Sequence, residues 1–274
     1  MLEIKGVQEL ILILYGISVM GYFVDFIQNN RKANVLAFWL LTMVWILQTF
    51  FLLYQVFVKQ NFPILSINDS LFFYAWVLIT FSLIINRVFA VHFLVFFTNV
   101  FGFFIMLLNM AGNATGNGSQ ITIQLVGEIL IAHITLALIS YGFFTLSFIF
   151  SIMFLLQYKL LKNKQSYRLL KRFGDLEGLD RLSFQTVTFG VPSLLISMIL
   201  GIVWAYSSGA EFYWYDIKIV GSFIVLIVYT IYLFLRLGKG YQGKKISFIN
   251  SAAFLFLLIN FLLFSTLSSF HFSF

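Results

Sequence analysis

Apolar stretches recur along the chain from Leu10 to Phe270, broken only by short polar punctuation. Each is about 18 residues or longer, enough to cross roughly 30 Å of hydrocarbon as a helix. The pattern predicts eight helices, over about 8–28, 35–58, 69–86, 88–110, 121–158, 185–206, 217–237 and 247–270. Barrel strands would alternate apolar and polar positions over about 10 residues, and these runs do not. The expected fold is therefore all-α, a polytopic membrane helix bundle, read as a single membrane domain over residues 1–274. The third and fourth helices are parted only by a tight turn at Asn86-Arg87, and the Gly/Asn/Ser-rich stretch 111–119 reads as a flexible loop.

Composition sharpens this picture. Of 274 residues, 61% are apolar and 10% charged. So few charges could not cover a soluble domain of this size, whereas lipid tails solvate such a surface. The net charge of +7 is read as basic cytoplasmic loops rather than as a nucleic-acid footprint. The absence of cysteine excludes disulfides, thiolate metal sites and thiol catalysis. The first apolar segment is not expected to be a cleaved signal peptide, because its basic residues, Arg31 and Lys32, follow it.

Eight spans sort the basic residues into two groups. Arg31, Lys32, Arg87, Lys159, Lys162, Lys164, Arg168, Lys171, Arg172, Arg181, Arg236, Lys239, Lys244 and Lys245 fall on one side, and only Lys5, Lys59 and Lys218 on the other. The positive-inside rule then predicts both termini extracytoplasmic. Segment 159–184 becomes a cytoplasmic basic loop that could carry a short amphipathic helix against anionic headgroups, or dock a soluble partner.

Three histidines remain as strong metal ligands: His92, His133 and His271. Counting about 20 residues outward from the basic inner edges puts His133 and His271 at one level, each about 7 Å beyond the outer edge of the hydrocarbon. His92 lies on the order of 30 Å away, near the inner edge. It is read as a packing residue, with an inner-side ligand as the alternative. The loop between helices 6 and 7 shares the outer level and is rich in rings: Trp204, Tyr206, Phe212, Tyr213, Trp214 and Tyr215, followed by Asp216. An interfacial aromatic belt accounts for this composition, and so does a stacking platform for a flat apolar macrocycle. Two histidines at the same level favour the platform, since a porphyrin iron could take both as axial ligands. Asp216 also suits an N-cap at the start of helix 7. Glu128 is expected to be solvated, and Asp25 to snorkel or to pair with Arg31 near the inner end of helix 1.

The stretch Trp204-Ala205…Phe212-Tyr213-Trp214-Tyr215-Asp216-Ile217-Lys218 resembles a weakened form of the WWD signature of the cytochrome c assembly (CcmC/CcsA) membrane proteins, approximately W-A-x-x-x-W-G-x-x-W-x-W-D-P-K-E. Trp204, Ala205, Asp216 and Lys218 match; Gly209, Tyr213 and Tyr215 stand where the family has tryptophans, Ile217 for proline and Ile219 for glutamate. His133-x6-Ser140-Tyr141, and Gly243-Lys244-Lys245 before a helix ending in His271, resemble the family's two histidine-bearing helices, so the likeness spans about 125–274. The weakened motif, short chain and external termini are similar to a branch linked to haem-biosynthesis genes in Gram-positive bacteria. The resemblance implies a non-covalent b-type haem in a bacterial cytoplasmic membrane, with His133 and His271 as axial ligands. The platform would comprise Trp204, Tyr206, Phe212, Tyr213, Trp214, Tyr215 and Asp216. Its implied partners are haem, the lipid bilayer, and glutamyl-tRNA reductase, whose level it would control, or cytochrome c maturation proteins.

No hydrolase triad, HExxH or phosphate loop occurs, so a binder is expected rather than an enzyme. Three functions compete: a haem-handling protein, which includes haem delivery or export for cytochrome c maturation; a membrane scaffold with a vestigial haem site; and a transporter. The last is disfavoured by the scarcity of ionisable residues within the spans.

Overall fold

The structure is a computed structural model that describes residues 2–28, 30–58, 67–88, 92–114, 127–163, 175–207 and 215–264. Among these residues the architecture is wholly helical. The helices are α1 (Leu2–Gln28), α2 (Arg31–Phe57), α3 (Ile67–Val88), α4 (His92–Ala114), α5 (Glu128–Lys162), α6 (Leu176–Ser207), α7 (Ile217–Leu237) and α8 (Lys244–Ile259), the last running into a π-helical turn, Asn260–Phe264. All eight are long and apolar enough to cross a membrane. The chain divides into two compact units, residues 1–125 and 126–274.

Of the boundaries that differ from the sequence reading, three bear on the expected loops. Helix α4 runs on to Ala114, through the first residues of the expected 111–119 loop; the remainder of that loop lies outside the described residues. Helix α5 continues to Lys162. Helix α6 starts at Leu176, well before 185, so Arg181 sits inside a helix rather than in a cytoplasmic loop. The cause is local: Asp175 accepts from Gly178 N (3.3 Å) and its carbonyl from Leu179 N (3.0 Å), which opens the helix. Polar residues in the first turns of α6 then find partners within unit 2. Of the expected 159–184 loop, only residues 164–174 lie outside the described chain.

In the first unit, α1 packs on α2 and α4, and α3 on α2 and α4. The inward stripe of α1, Ile11, Tyr15, Ser18, Tyr22 and Asp25, is largely polar, and its spacing of four and three residues keeps it on one face. With no water to take them, Tyr15, Ser18 and Asp25 bond across helices. Ser18 Oγ donates to Ala37 O (2.8 Å), and Tyr15 OH to Asn99 Oδ1 (3.3 Å), whose amide nitrogen donates to Ser82 Oγ (2.6 Å). Asp25 accepts from Asn34 Nδ2 (2.8 Å) rather than taking the expected Arg31 as its hydrogen-bond donor. Helices α2 and α3 share a reciprocal clasp: Trp45 Nε1 donates to Thr80 Oγ1 and Trp76 Nε1 to Thr49 Oγ1, both at 2.9 Å, with the two indoles stacked 6.4 Å apart.

In the second unit α5 lies along α6, with α8 against α5 and α7 against α6 and α8. The α5–α6 seam repeats every seven residues. Ser147 Oγ donates to Ser183 O (2.9 Å), Ser140 Oγ donates to Gly190 O (2.9 Å), and His133 meets Ser197. Small residues let the two backbones approach closely enough for these bonds. A Cβ on Gly190 would fall 2.7 Å from the Phe144 ring, which itself stacks on Tyr229 at 3.8 Å. From α8, Asn250 Nδ2 reaches Ser147 Oγ (2.6 Å), Ser151 Oγ (2.8 Å) and Ser183 Oγ (3.1 Å).

One end of this unit gathers Lys159, Lys162, Arg181, Arg236, Lys239, Lys244 and Lys245, at the ends of α5 and α7 and the starts of α6 and α8. There Asp180 of α6 pairs with Arg236 of α7 (2.5 Å) and accepts from Gly243 N (3.1 Å), the residue that opens α8 with φ +69°. Arg236 also donates to Tyr241 O (3.3 Å) and lies over the Phe184 ring. A single carboxylate thus ties three helices.

Removing that carboxylate alone should be costly, because it strands a guanidinium that is about nine-tenths buried. Asp180→Ala is expected to destabilise the folded chain in detergent by about 3 kcal/mol. The double variant Asp180→Leu/Arg236→Met should recover much of the loss. Unfolding titrations in mixed micelles measure both, and equal losses in the single and double variants would contradict this account of the pair.

Candidate functional site

At the opposite end of the second unit, His133 stands in the second turn of α5. The antiparallel α6 presents Ser197 and, one turn further on, Gly201. The imidazole Nδ1 lies 2.6 Å from Ser197 O. A carbonyl only accepts, so in the neutral ring Nδ1 carries the proton and Nε2 keeps its lone pair. Ser197 Oγ donates to His133 O (2.8 Å) and lies 3.2 Å from Nδ1, so the same residue holds both the backbone and the ring of the histidine. The ring rests on Gly201: a Cβ there would fall 2.7 Å from Cε1 and 2.8 Å from Nδ1. Only glycine leaves this space.

Next to this cradle, at the end of the unit, Trp204 and Ala205 are buried against Ile129, Leu130 and Ile219. A Cβ on Gly127 would lie 3.5 Å from Trp204 Cδ1. Trp204 is 9% exposed, so its indole joins α6 to α5 and α7, whereas Tyr206 and Tyr215 are 65% and 96% exposed. Asp216, 8% exposed, is the N-cap of α7: Oδ1 accepts from Lys218 N (2.9 Å). Glu128, the first residue of α5, is exposed. His92 is the first residue of α4, and its side chain is outside the described ones. Phe212, Tyr213, Trp214 and His271 also lie outside the described residues.

Ser197 and Gly201 were not singled out from the sequence, although a signal was present. His133, Ser140 and Ser147 recur every seven residues on α5, and Ser183, Gly190 and Ser197 recur likewise on α6. Two antiparallel helices with matched seven-residue stripes of small or polar residues point to a shared seam.

Among the described residues, no three His, Asp or Glu side chains gather as a bare metal ion would need. A porphyrin supplies its own ring nitrogens and asks the protein for one or two axial donors. His133 fits that demand. Metal-ligating histidines usually donate their other ring N–H to a carbonyl or carboxylate, which fixes the tautomer and raises ligand basicity. Ser197 O holds that position.

The fold and this site define a multi-pass helical membrane protein with an oriented histidine at one end of its second unit. Residues 64–271 match the family described as "Cytochrome C assembly protein", and the chain belongs to that family. The match takes in α3 and α4, further toward the N-terminus than the stretch that carries the signature. The chain is 46% identical to Protein HemX of Bacillus subtilis (strain 168) over 260 residues, 95% of this chain and 94% of the relative. It is 42% identical to Protein HemX of Brevibacillus brevis, over 99% of each chain. It is 27% identical to the cytochrome c biogenesis protein CcsA of Mesostigma viride, over 69% of each. No solved structure matches the chain significantly.

Two outcomes are expected of the cradle. In a histidine-labelled sample, the nitrogen chemical shifts of His133 should show Nδ1 protonated and Nε2 bare; the reverse tautomer would refute the reading of the Ser197 contact. Gly201→Ala should displace the ring and cost about 1–3 kcal/mol, the usual range for overpacking a close contact, read from unfolding in detergent and from movement of the same signals.

Proposed function

We propose that this chain is a haem-binding protein of a bacterial cytoplasmic membrane, with His133 giving Nε2 to the iron and His271 the second axial ligand. The haem would be b-type and held without covalent attachment, walled by the ring-rich segment that includes Tyr206, Phe212, Tyr213, Trp214 and Tyr215. The observation that carries this reading is the short bond from Nδ1 to Ser197 O, which leaves an oriented lone pair on Nε2. Membership of the cytochrome c assembly family supports it. Trp204 and Asp216 enter as supports of the site: one packs α6 against α5 and α7, and the other caps α7.

Within that reading the chain holds or senses haem in the control of haem biosynthesis, through the level of glutamyl-tRNA reductase, and acts as a binder rather than as an enzyme. Haem delivery or export for cytochrome c maturation is the alternative. Direct control requires a contact with a soluble enzyme, and the end of the second unit opposite His133 favours one, because Lys159, Lys162, Arg181, Lys239, Lys244 and Lys245 are all exposed there.

The detergent-purified chain, reconstituted with haemin, is expected to show a six-coordinate Soret band. His133→Ala and His271→Ala should each convert it to a five-coordinate or weakened spectrum, and Gly201→Ala should weaken it as well. A wild type that takes up no haem would overturn the proposal. For the partner, reversing charge at Lys162, Lys171 and Arg172 should abolish co-purification with glutamyl-tRNA reductase; unchanged co-purification would remove this end as the contact.

A further inference from the structure

The end of the second unit opposite His133 carries more charge than its fold uses. Among the described residues Arg236 is the one cation there with a carboxylate partner, Asp180. Lys159, Lys162, Lys239, Lys244 and Lys245 are exposed and form no ion pair. Two of them, Lys244 and Lys245, occupy the first turn of α8, where a positive charge opposes the helix dipole, so the helix itself does not require them.

The start of α8 is seated firmly on the end of α5. A Cβ on Gly243 would fall 3.4 Å from the Phe154 ring, and the Lys244 ammonium stands 5.8 Å from the centre of the Tyr158 ring. A cation–π contact of this kind restrains a flexible side chain and leaves its N–H donors free. Lys159 follows Tyr158 directly, so a second cation starts from the adjoining position on α5. Deeper in the bilayer the same two helices turn apolar groups outward. Phe248, Leu255 and Ile259 continue the exposed face of α8 that Lys244 begins, and Leu156 is exposed one turn before Lys159. Cations at the rim, a ring at headgroup level and an apolar face running into the hydrocarbon match the outline of a phospholipid. An acidic protein arriving from water would meet the lysines and never reach Leu255.

We propose that the α5–α8 junction is a binding site for an anionic phospholipid, its phosphodiester held by Lys159 and Lys244 and its acyl chains laid along Leu156, Phe248 and Leu255. A zwitterionic lipid brings an ammonium of its own to a site that is already positive, and is disfavoured. Lys162, Arg181 and Lys239 are left to a soluble partner. This site stands apart from the haem reading, and its test involves no haem.

The test uses the full chain in a neutral detergent, with lipid retention read by native mass spectrometry. Phosphatidylglycerol should be retained in preference to phosphatidylcholine. Lys159→Gln and Lys244→Gln should each weaken its binding about fivefold, the worth of one lysine near an anionic surface, and Phe248→Ala should weaken it as well. Lys239→Gln, at the same end but outside the junction, should leave it unchanged. Helical content and thermal midpoint of each variant separate misfolding from lost contacts. Equal losses in Lys239→Gln and Lys244→Gln would reduce the effect to diffuse attraction and overturn the proposal. Equal retention of the two lipids, or displacement of phosphatidylglycerol by inorganic phosphate, would do the same. If the lysine variants lose binding of polyglutamate and keep the lipid, the patch belongs to an acidic protein and the proposal falls.

Discussion

A lipid environment offers no water to a buried polar atom and little hydrophobic reward for bringing two helices together. Association must then come from close packing and from hydrogen bonds made between helices. The α5–α6 seam is built on that constraint. Serines 140, 147 and 183 and the carbonyls of Gly190 and Ser197 all lie in the contact, with glycine where a ring from the facing helix needs the space. His133 is a member of the seam before it is anything else. Its ring is oriented by the same kind of contact that joins the helices, so the stiffness of the bundle is passed to Nε2. A ligand held on a packed helix pair is positioned more firmly than one on a loop.

The eight spans were legible because an apolar run of helical length has few other meanings. The ends were less so, for a definite reason. Asp180, Arg181 and Ser183 read as a polar segment outside the membrane, yet Asp180 is paired with Arg236 and Ser183 with Ser147, Ser151 and Asn250. Partners far along the chain made these residues compatible with a helix start inside the bundle, and no local count of charges reveals such partners. The same limit applies at the site. The histidine could be picked out by residue type and depth, but its cradle could not: Ser197 and Gly201 are commonplace in sequence and gain meaning only from lying opposite His133. Trp204 is the instructive middle case. Motif resemblance drew attention to it, and packing uses it as a strut against Ile129, Leu130 and Ile219.

The weakened tryptophan signature can be seen in this light. Of its retained members within the described chain, Trp204 and Ala205 are fixed by packing and Asp216 by capping α7, whose first turn carries Lys218. What survives of the motif is therefore largely what shapes the helix ends around His133. Membership of the cytochrome c assembly family and a strut-like use of its signature are compatible: a scaffold can be kept while the exposed rings on it vary.

The seven-residue repeat of the seam has a further implication. A pattern that matches itself after two turns invites slippage, because sliding α6 by one repeat would again face polar against small residues, with Gly190 brought opposite His133. What forbids the slide is bulk. Phe144 fits only against the bare backbone of Gly190, and the shifted arrangement would set it against the side chain of Ser183. The phenyl ring thus works like the tooth of a ratchet, selecting one of several near-equivalent alignments and thereby deciding that the carbonyl met by the histidine belongs to Ser197.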